Sequence, residues 1–105
     1  MLIYNTTFHA DDDCVAGLKK YLCSQYVPIA VSGGYLKNPK VCKVLKFDDE
    51  KGESICVQFS VKDLDALNKW LEREGHALLQ IVVQQFGKGV TGFSTLLEEI
   101  EWEKL

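Results

Sequence analysis

The pattern of apolar residues along this 105-residue chain predicts a single α+β domain, and three observations carry the prediction. Period-two runs at 2–9, 41–61 and 90–97 read as strands, the middle run being two strands joined by a polar turn. Two stripes of helical period separate these runs. The chain is 47% hydrophobic and 10% aromatic, which suffices for one core at this length, and no internal repeat or low-complexity segment divides it. The resulting order is strand, helix, strand, strand, helix, strand. This is the βαββαβ pattern of a ferredoxin-like sandwich, a four-stranded antiparallel sheet with two helices on one face.

The first strand, LIYNTTFH, alternates Leu2, Tyr4, Thr6 and Phe8 against Ile3, Asn5, Thr7 and His9. The acidic triplet Asp11, Asp12 and Asp13 then offers an N-cap and negative charge at the positive end of a helix dipole. Val15, Leu18, Leu22, Tyr26 and Ile29 follow at helical spacing, so a first helix is expected from about Asp12 to about Tyr26. A further turn through Ile29, Ala30 and Val31 could pass Pro28 before Ser32, Gly33 and Gly34 stop it. Residues 35–39 read as a linker.

For the hairpin, a four-residue loop from Asp49 to Gly52 sets Cys42, Val44 and Lys46 on one face with Phe59, Val57 and Ile55. The other face then carries Val41, Lys43, Leu45 and Phe47 opposite Ser60, Gln58, Cys56 and Ser54. A capping box at Ser60 and Asp63 is expected to open the second helix. Its stripe is Leu64, Leu67, Leu71, Gly75, Leu78, Val82 and Phe86, which stays in phase through Gly75 and predicts one long or mildly kinked helix with close packing at the glycine. Residues 77–83 are apolar on more than one side, which calls for a second partner. Gly87 and Gly89 end the helix, a fourth strand covers 90–97, and the tail from 98 reads either as more strand or as a short acidic helix opened by Thr95 and Glu98.

A formal net charge of -3 with Arg73 as the single arginine gives no electrostatic footprint for nucleic acid. A basic leader and an apolar run of about 18 residues are both missing, so no membrane association is expected and the location is read as cytoplasmic. In the predicted register Cys42 and Cys56 point to opposite faces, and Cys14 and Cys23 stand about 13 Å apart on one helix, so no disulfide is expected. Neither CxxC nor Cys/His ligand spacing occurs. The thiols read as small buried hydrophobes, and no metal or cofactor is expected.

Such a sheet leaves one face uncovered, here carrying Ile3, Asn5, Thr7 and His9 with Val41, Lys43, Leu45, Phe47, Cys56 and Gln58. Two such faces packed together would bury it, so a homodimer is expected. On this face His9 stands beside Asn5 and Thr7, where it could act as a general base or orient a polar ligand together with Gln58. Tyr35 in the linker completes the candidate ligand-binding set of Asn5, Thr7, His9, Tyr35 and Gln58. His76 shares the polar side of the second helix and reads as solvent-exposed; Ser32, Gly33 and Gly34 lack the strand-to-helix setting of a phosphate loop. Tyr4, Tyr26, Tyr35, Trp70 and Trp102 could line an aromatic pocket but read first as core or interface, and no nucleophile elbow or Cys/His pair supports hydrolysis.

The segments 1–8, Asn38-Pro39 with Cys42, Gln58-Phe59 and 92–99 (GFSTLLEE) together resemble a family of small bacterial proteins known as a domain of unknown function. The likeness spans nearly the whole chain. It implies a compact protein similar in plan to the dimeric α+β barrel group, which includes cofactor-independent monooxygenases, isomerases and ligand-sensing domains; no catalytic residue carries over. Two readings of function follow. One is a non-enzymatic homodimeric module binding a small molecule or a protein partner between its sheets; the other is a cofactor-independent enzyme in which Asn5, His9 and Gln58 position an organic substrate.

Overall fold

A computed structural model describes residues 1–46 and 51–105 and places the first strand, β1 (Leu2–Ala10), in the interior of one four-stranded antiparallel sheet of order β2-β3-β1-β4. Each β1 residue has a partner on β3 (Glu53–Val61) and another on β4 (Val90–Glu98). Strict alternation follows from this pairing: Tyr4, Thr6, Phe8 and Ala10 of β1 and Ile55, Val57, Phe59 and Val61 of β3 are buried under the helices. The intervening residues form the other face of the sheet.

Both helices cover that apolar face, and both contain one wider turn. The first runs 15–32 as α1 (Val15–Tyr21), a π-turn (Leu22–Tyr26) and α2 (Val27–Ser32), so it reaches well beyond Tyr26. The Val27 N–H bonds to the Leu22 carbonyl, five residues back, and the π-turn ends just before Pro28. The proline ring therefore falls in the first turn of α2, where a missing N–H costs least. The second rod runs 64–86 as α3 (Leu64–Trp70), a π-turn (Leu71–Gly75) and α4 (His76–Phe86), with the His76 N–H bonded to the Leu71 carbonyl. Tyr21 and Trp70, each three residues after a buried leucine and just before a π-turn, enter the core beside the expected Leu18, Leu22, Tyr26, Leu67, Leu78 and Val82. Leu64, counted in the stripe, is 58% exposed instead.

The helices are tied to each other by two buried hydrogen bonds. Trp70 Nε1 donates to the Ala30 carbonyl at 3.0 Å and the Tyr21 hydroxyl donates to the Leu78 carbonyl at 3.1 Å. Trp70 is fully buried and meets Tyr4 edge-on with ring centroids 5.7 Å apart, so it joins both helices to the central strand. Gly75 is what allows this approach: a Cβ there would stand 2.6 Å from Trp70 Cζ3.

Helix starts differ from the capping expected. Asp63 is the N-cap of α3, accepting from the Ala66 N–H at 2.8 Å, while Ser60 belongs to β3. At the first helix Cys14 is the N-cap without a side-chain bond, and Asp12 instead accepts from the Gly52 N–H at 3.0 Å, tying the helix start to the approach to β3. Thr95 and Glu98 both lie in β4, and the tail forms a short 3-10 turn at Trp102–Lys104.

The largest correction concerns β2 (Leu36–Lys43), which begins inside the expected linker. Leu36 pairs with Val61 and is buried, and a bulge at 37–40 with Asn38 at φ 53° bends the edge strand before Val41 pairs with Val57 and Cys42 with Cys56. This register is three residues away from the one expected, so every β2 side chain changes face. Val41 and Lys43 lie on the helix-covered side, Cys42 joins Cys56 on the open side, and Leu45 lies beyond the strand; Phe47 and most of the expected turn lie outside the described residues. Glu53 holds the observed pairing, bonding Lys43 at 2.5 Å and Lys19 of α1 at 3.3 Å. None of the four cysteines is buried in the way expected of apolar filler, and all are free thiols.

Two outcomes are expected from this packing. Gly75→Ala gains about 1 kcal/mol of helix propensity but overpacks against Trp70 at about 1–3 kcal/mol, so urea unfolding should show a net loss of about 1 kcal/mol. Hydrogen bonds from Lys43 and then Lys19 hold the Glu53 carboxyl below its ordinary value, so its contribution to stability is present above the unfolded carboxylate pKa and is lost as pH falls through the depressed folded value. Glu53→Gln should therefore lower the melting temperature at pH 7 and converge on the parent protein only once the pH has fallen below the depressed folded value of Glu53; a difference that persists when the carboxyl is fully protonated would assign the effect to packing instead.

Candidate functional site

On the open face, pairing alone brings most of the candidate side chains together. Asn5 stands between Gln58 of β3 and Thr95 of β4, Thr7 between Cys56 and Phe93, and His9 between Ser54 and Thr91. Asn5 Nδ2 donates to Thr7 Oγ1 at 3.1 Å, whereas Asn5 Oδ1 is buried and has no hydrogen-bond partner among the described residues. His9 Nδ1 and Ser54 Oγ are 2.9 Å apart, so the hydroxyl fixes the ring. Around this polar row stand exposed apolar groups, Phe93 at 65%, Leu97 at 45% and Val44 at 41%. Burial, and next the neighbouring Cys42, push the Cys56 thiol up from its ordinary value, which keeps it protonated and unreactive.

A groove of about 360 Å³ opens on the same face, lined by Ile3, Asn38, Lys40, Gln58, Phe59, Ser60 and Glu99. The β2 bulge shapes it: Asn38 sits in the left-handed region, and its Nδ2 lies 3.4 Å from Ser60 Oγ. Gln58 joins the groove to the Asn5 row, and Lys40 faces it across the strand pair. Asn5, Thr7, His9 and Gln58 thus share one surface, with Gln58 alone of the four lining the groove. Tyr35 is apart from them. It lines an adjoining pocket of about 420 Å³ that also includes Ser60, Lys62, Asp63 and Lys69, and the Arg73 guanidinium lies 5.8 Å from the centre of its ring.

Sequence reasoning passed over a polar cluster on the covered face. Tyr4 and Ser94 hydroxyls are 3.1 Å apart, and Thr6 and Ser94 hydroxyls 2.9 Å apart. Thr6 is 2% exposed, the one buried polar residue among the inner-face series of β1, and that exception in an otherwise apolar series was the available signal. The Tyr26 hydroxyl lies next to Thr6 and is fully buried with no hydrogen-bond partner among the described residues; burial, then Tyr4, raises its pKa well above the ordinary phenol value. A cavity of about 300 Å³ lies above Thr6 and Ser94, between α4 and β4. Gly92 of β4 makes room for the Phe8 ring in its wall, because a Cβ there would meet that ring at 2.9 Å.

The profile of a family described as Domain of unknown function (DUF4286) matches residues 1–100. The chain belongs to this family. No curated protein matches this chain at a significant level. Among solved structures, this DUF4286 chain is similar to an ethyl tert-butyl ether D (EthD) family protein from Bacillus halodurans, with a TM-score of 0.69, 16% identity and coverage of 95% of this chain and 100% of that one. It is also similar to an antibiotic biosynthesis monooxygenase, with a TM-score of 0.68, 12% identity and coverage of 95% and 99%. A mutant of MhuD with two manganese protoporphyrin IX molecules bound per active site gives a TM-score of 0.66 at 13% identity, with 95% of each chain covered. At these identities the likeness establishes the ferredoxin-like α+β fold that the DUF4286 chain shares with them.

The two buried tyrosines provide a matched test of the hydroxyl geometry. Tyr21→Phe removes the donor to the Leu78 carbonyl and should cost about 1 kcal/mol in urea unfolding. Tyr26→Phe removes a buried hydroxyl that has no partner, so it should be neutral or stabilising; a loss equal to that of Tyr21→Phe would contradict the assignment.

Proposed function

We propose that this chain acts as a homodimeric module in the cytoplasm, joined through the open sheet face, that holds a small polar ligand between the two sheets without chemical conversion. One observation carries the reading: the open face combines exposed Phe93, Leu97 and Val44 with a central amide pair, Asn5 and Gln58, in which one Asn5 amide atom has no partner. Apolar groups of this exposure supply the driving force for burial. The polar row and the adjoining groove supply hydrogen-bonding groups for a guest, with Gln58 in the groove, Asn5, Thr7 and His9 on the same surface beside it, and Tyr35 in the adjoining pocket that shares Ser60. A protein segment in place of a small molecule would use the same groups.

The second reading is a cofactor-independent monooxygenase- or isomerase-like enzyme. Its support is the fold shared with an antibiotic biosynthesis monooxygenase. Against it, His9 is engaged by Ser54 and does not line the groove, so the one imidazole on this face is not placed for proton transfer there.

Native mass spectrometry of protein purified without added ligand is expected to show a dimer whose mass exceeds two chains by a defined small-molecule increment. Leu97→Glu, opposite Ile3 on the open face and 45% exposed, should yield monomer with unchanged circular dichroism. A monomeric parent protein would overturn the proposal. A passenger recovered unchanged after incubation in air supports the binding module, whereas an oxidised or isomerised product from the same incubation supports the enzyme.

A further inference from the structure

We propose that the cavity between α4 and β4 is a second ligand site, on the opposite side of the sheet from the open face, and that it takes an uncharged molecule with an apolar body and one hydrogen-bond-accepting oxygen, such as a ketone. Its volume is about 300 Å³, and its walls come from Phe8, Leu79, Val82, Val83 and Val90, with Thr6 and Ser94 at its polar end. None of its lining residues is ionisable. A charged guest would lose its hydration there without compensation, which selects a neutral one.

Hydroxyl counting fixes the polar requirement. Tyr4, Thr6 and Ser94 carry three O–H protons but form two links, both to Ser94. Tyr4 and Thr6 are 5% and 2% exposed, so leaving either proton unbonded would strand a buried donor, whereas Ser94 belongs to a strand exposed from Thr91 onward. The arrangement that satisfies both buried donors has Tyr4 and Thr6 donating to Ser94. Both Ser94 lone pairs are then used, and its remaining capacity is its own proton. Ser94 lines the cavity, so its proton is the donor the group offers a guest, beside the lone pairs that the Thr6 oxygen keeps.

The test uses the full chain and two probes of nearly equal shape, 2-acetylnaphthalene and 2-ethylnaphthalene, titrated by amide chemical-shift changes in NMR. Shifts are expected at Thr6, Leu79, Val82 and Ser94, with the ketone bound about fivefold more tightly, the value of one neutral hydrogen bond. Ser94→Ala should bring the two affinities together by weakening only the ketone. Val83→Trp, placed at a position 66% exposed on the cavity rim and so compatible with folding, should abolish binding of both probes. The dimer-breaking Leu97→Glu variant should bind both probes as the parent does, which separates this site from the inter-sheet reading. Equal affinities in the parent protein, a ketone preference that survives Ser94→Ala, shifts confined to the open face, or no binding of either probe would each overturn the proposal.

Discussion

Everything in this fold depends on the double pairing of β1. Nine consecutive residues are matched on both sides, so the strand cannot slip by one position without exchanging its faces against two neighbours at once. That constraint decides which chemistry goes where. Tyr4, Phe8 and Ala10 enter the core with Thr6 among them, and Ile3, Asn5, Thr7 and His9 are placed together on the other side with no tertiary contact needed to assemble them. The helices then have one apolar surface to cover, and Trp70 and Tyr21 lock the two rods together through buried hydrogen bonds to opposite backbones.

The element order was legible because it rests on local periods of two and 3.6, and the central strands were legible for the same reason. What the periods could not carry was phase. In β2, Asn38 and Pro39 look like a linker, yet the bulge they form lets Leu36 pair with Val61 and resets the register downstream. A wrong phase there also misplaced the thiols, since Cys42 and Cys56 are direct partners and not opposed across the sheet. The helices show the same effect. The expected stripe steps from Leu67 to Leu71 and passes over Trp70, which at i+3 from Leu67 lies on the same side and is the more deeply buried, while Leu64 at the first turn is exposed.

For the functional groups, the open-face row followed directly from strand alternation, and four of five candidate side chains share that surface. Tyr35 was placed by its presence in an expected linker, and the strand that begins at Leu36 and the Arg73 contact carry it elsewhere. The hydroxyl cluster of Tyr4, Thr6 and Ser94 was not legible because it joins residues about 90 positions apart, and only the β1–β4 register puts them side by side. The two faces of the sheet consequently differ in kind: one has polar groups spread over an open surface, the other gathers hydroxyls at one end of an apolar cavity.

The paired π-turns have a consequence for how this chain aligns with others of the same plan. Each accommodates one more residue than a straight helical turn, and one residue corresponds to about 100° of rotation about the helix axis. A homologue lacking a residue within 22–26 or 71–75 can keep both flanking halves of that helix in place by closing the wide turn into an ordinary one. Single-residue gaps are therefore structurally silent at these two places, whereas the same gap in β1 would invert the sheet.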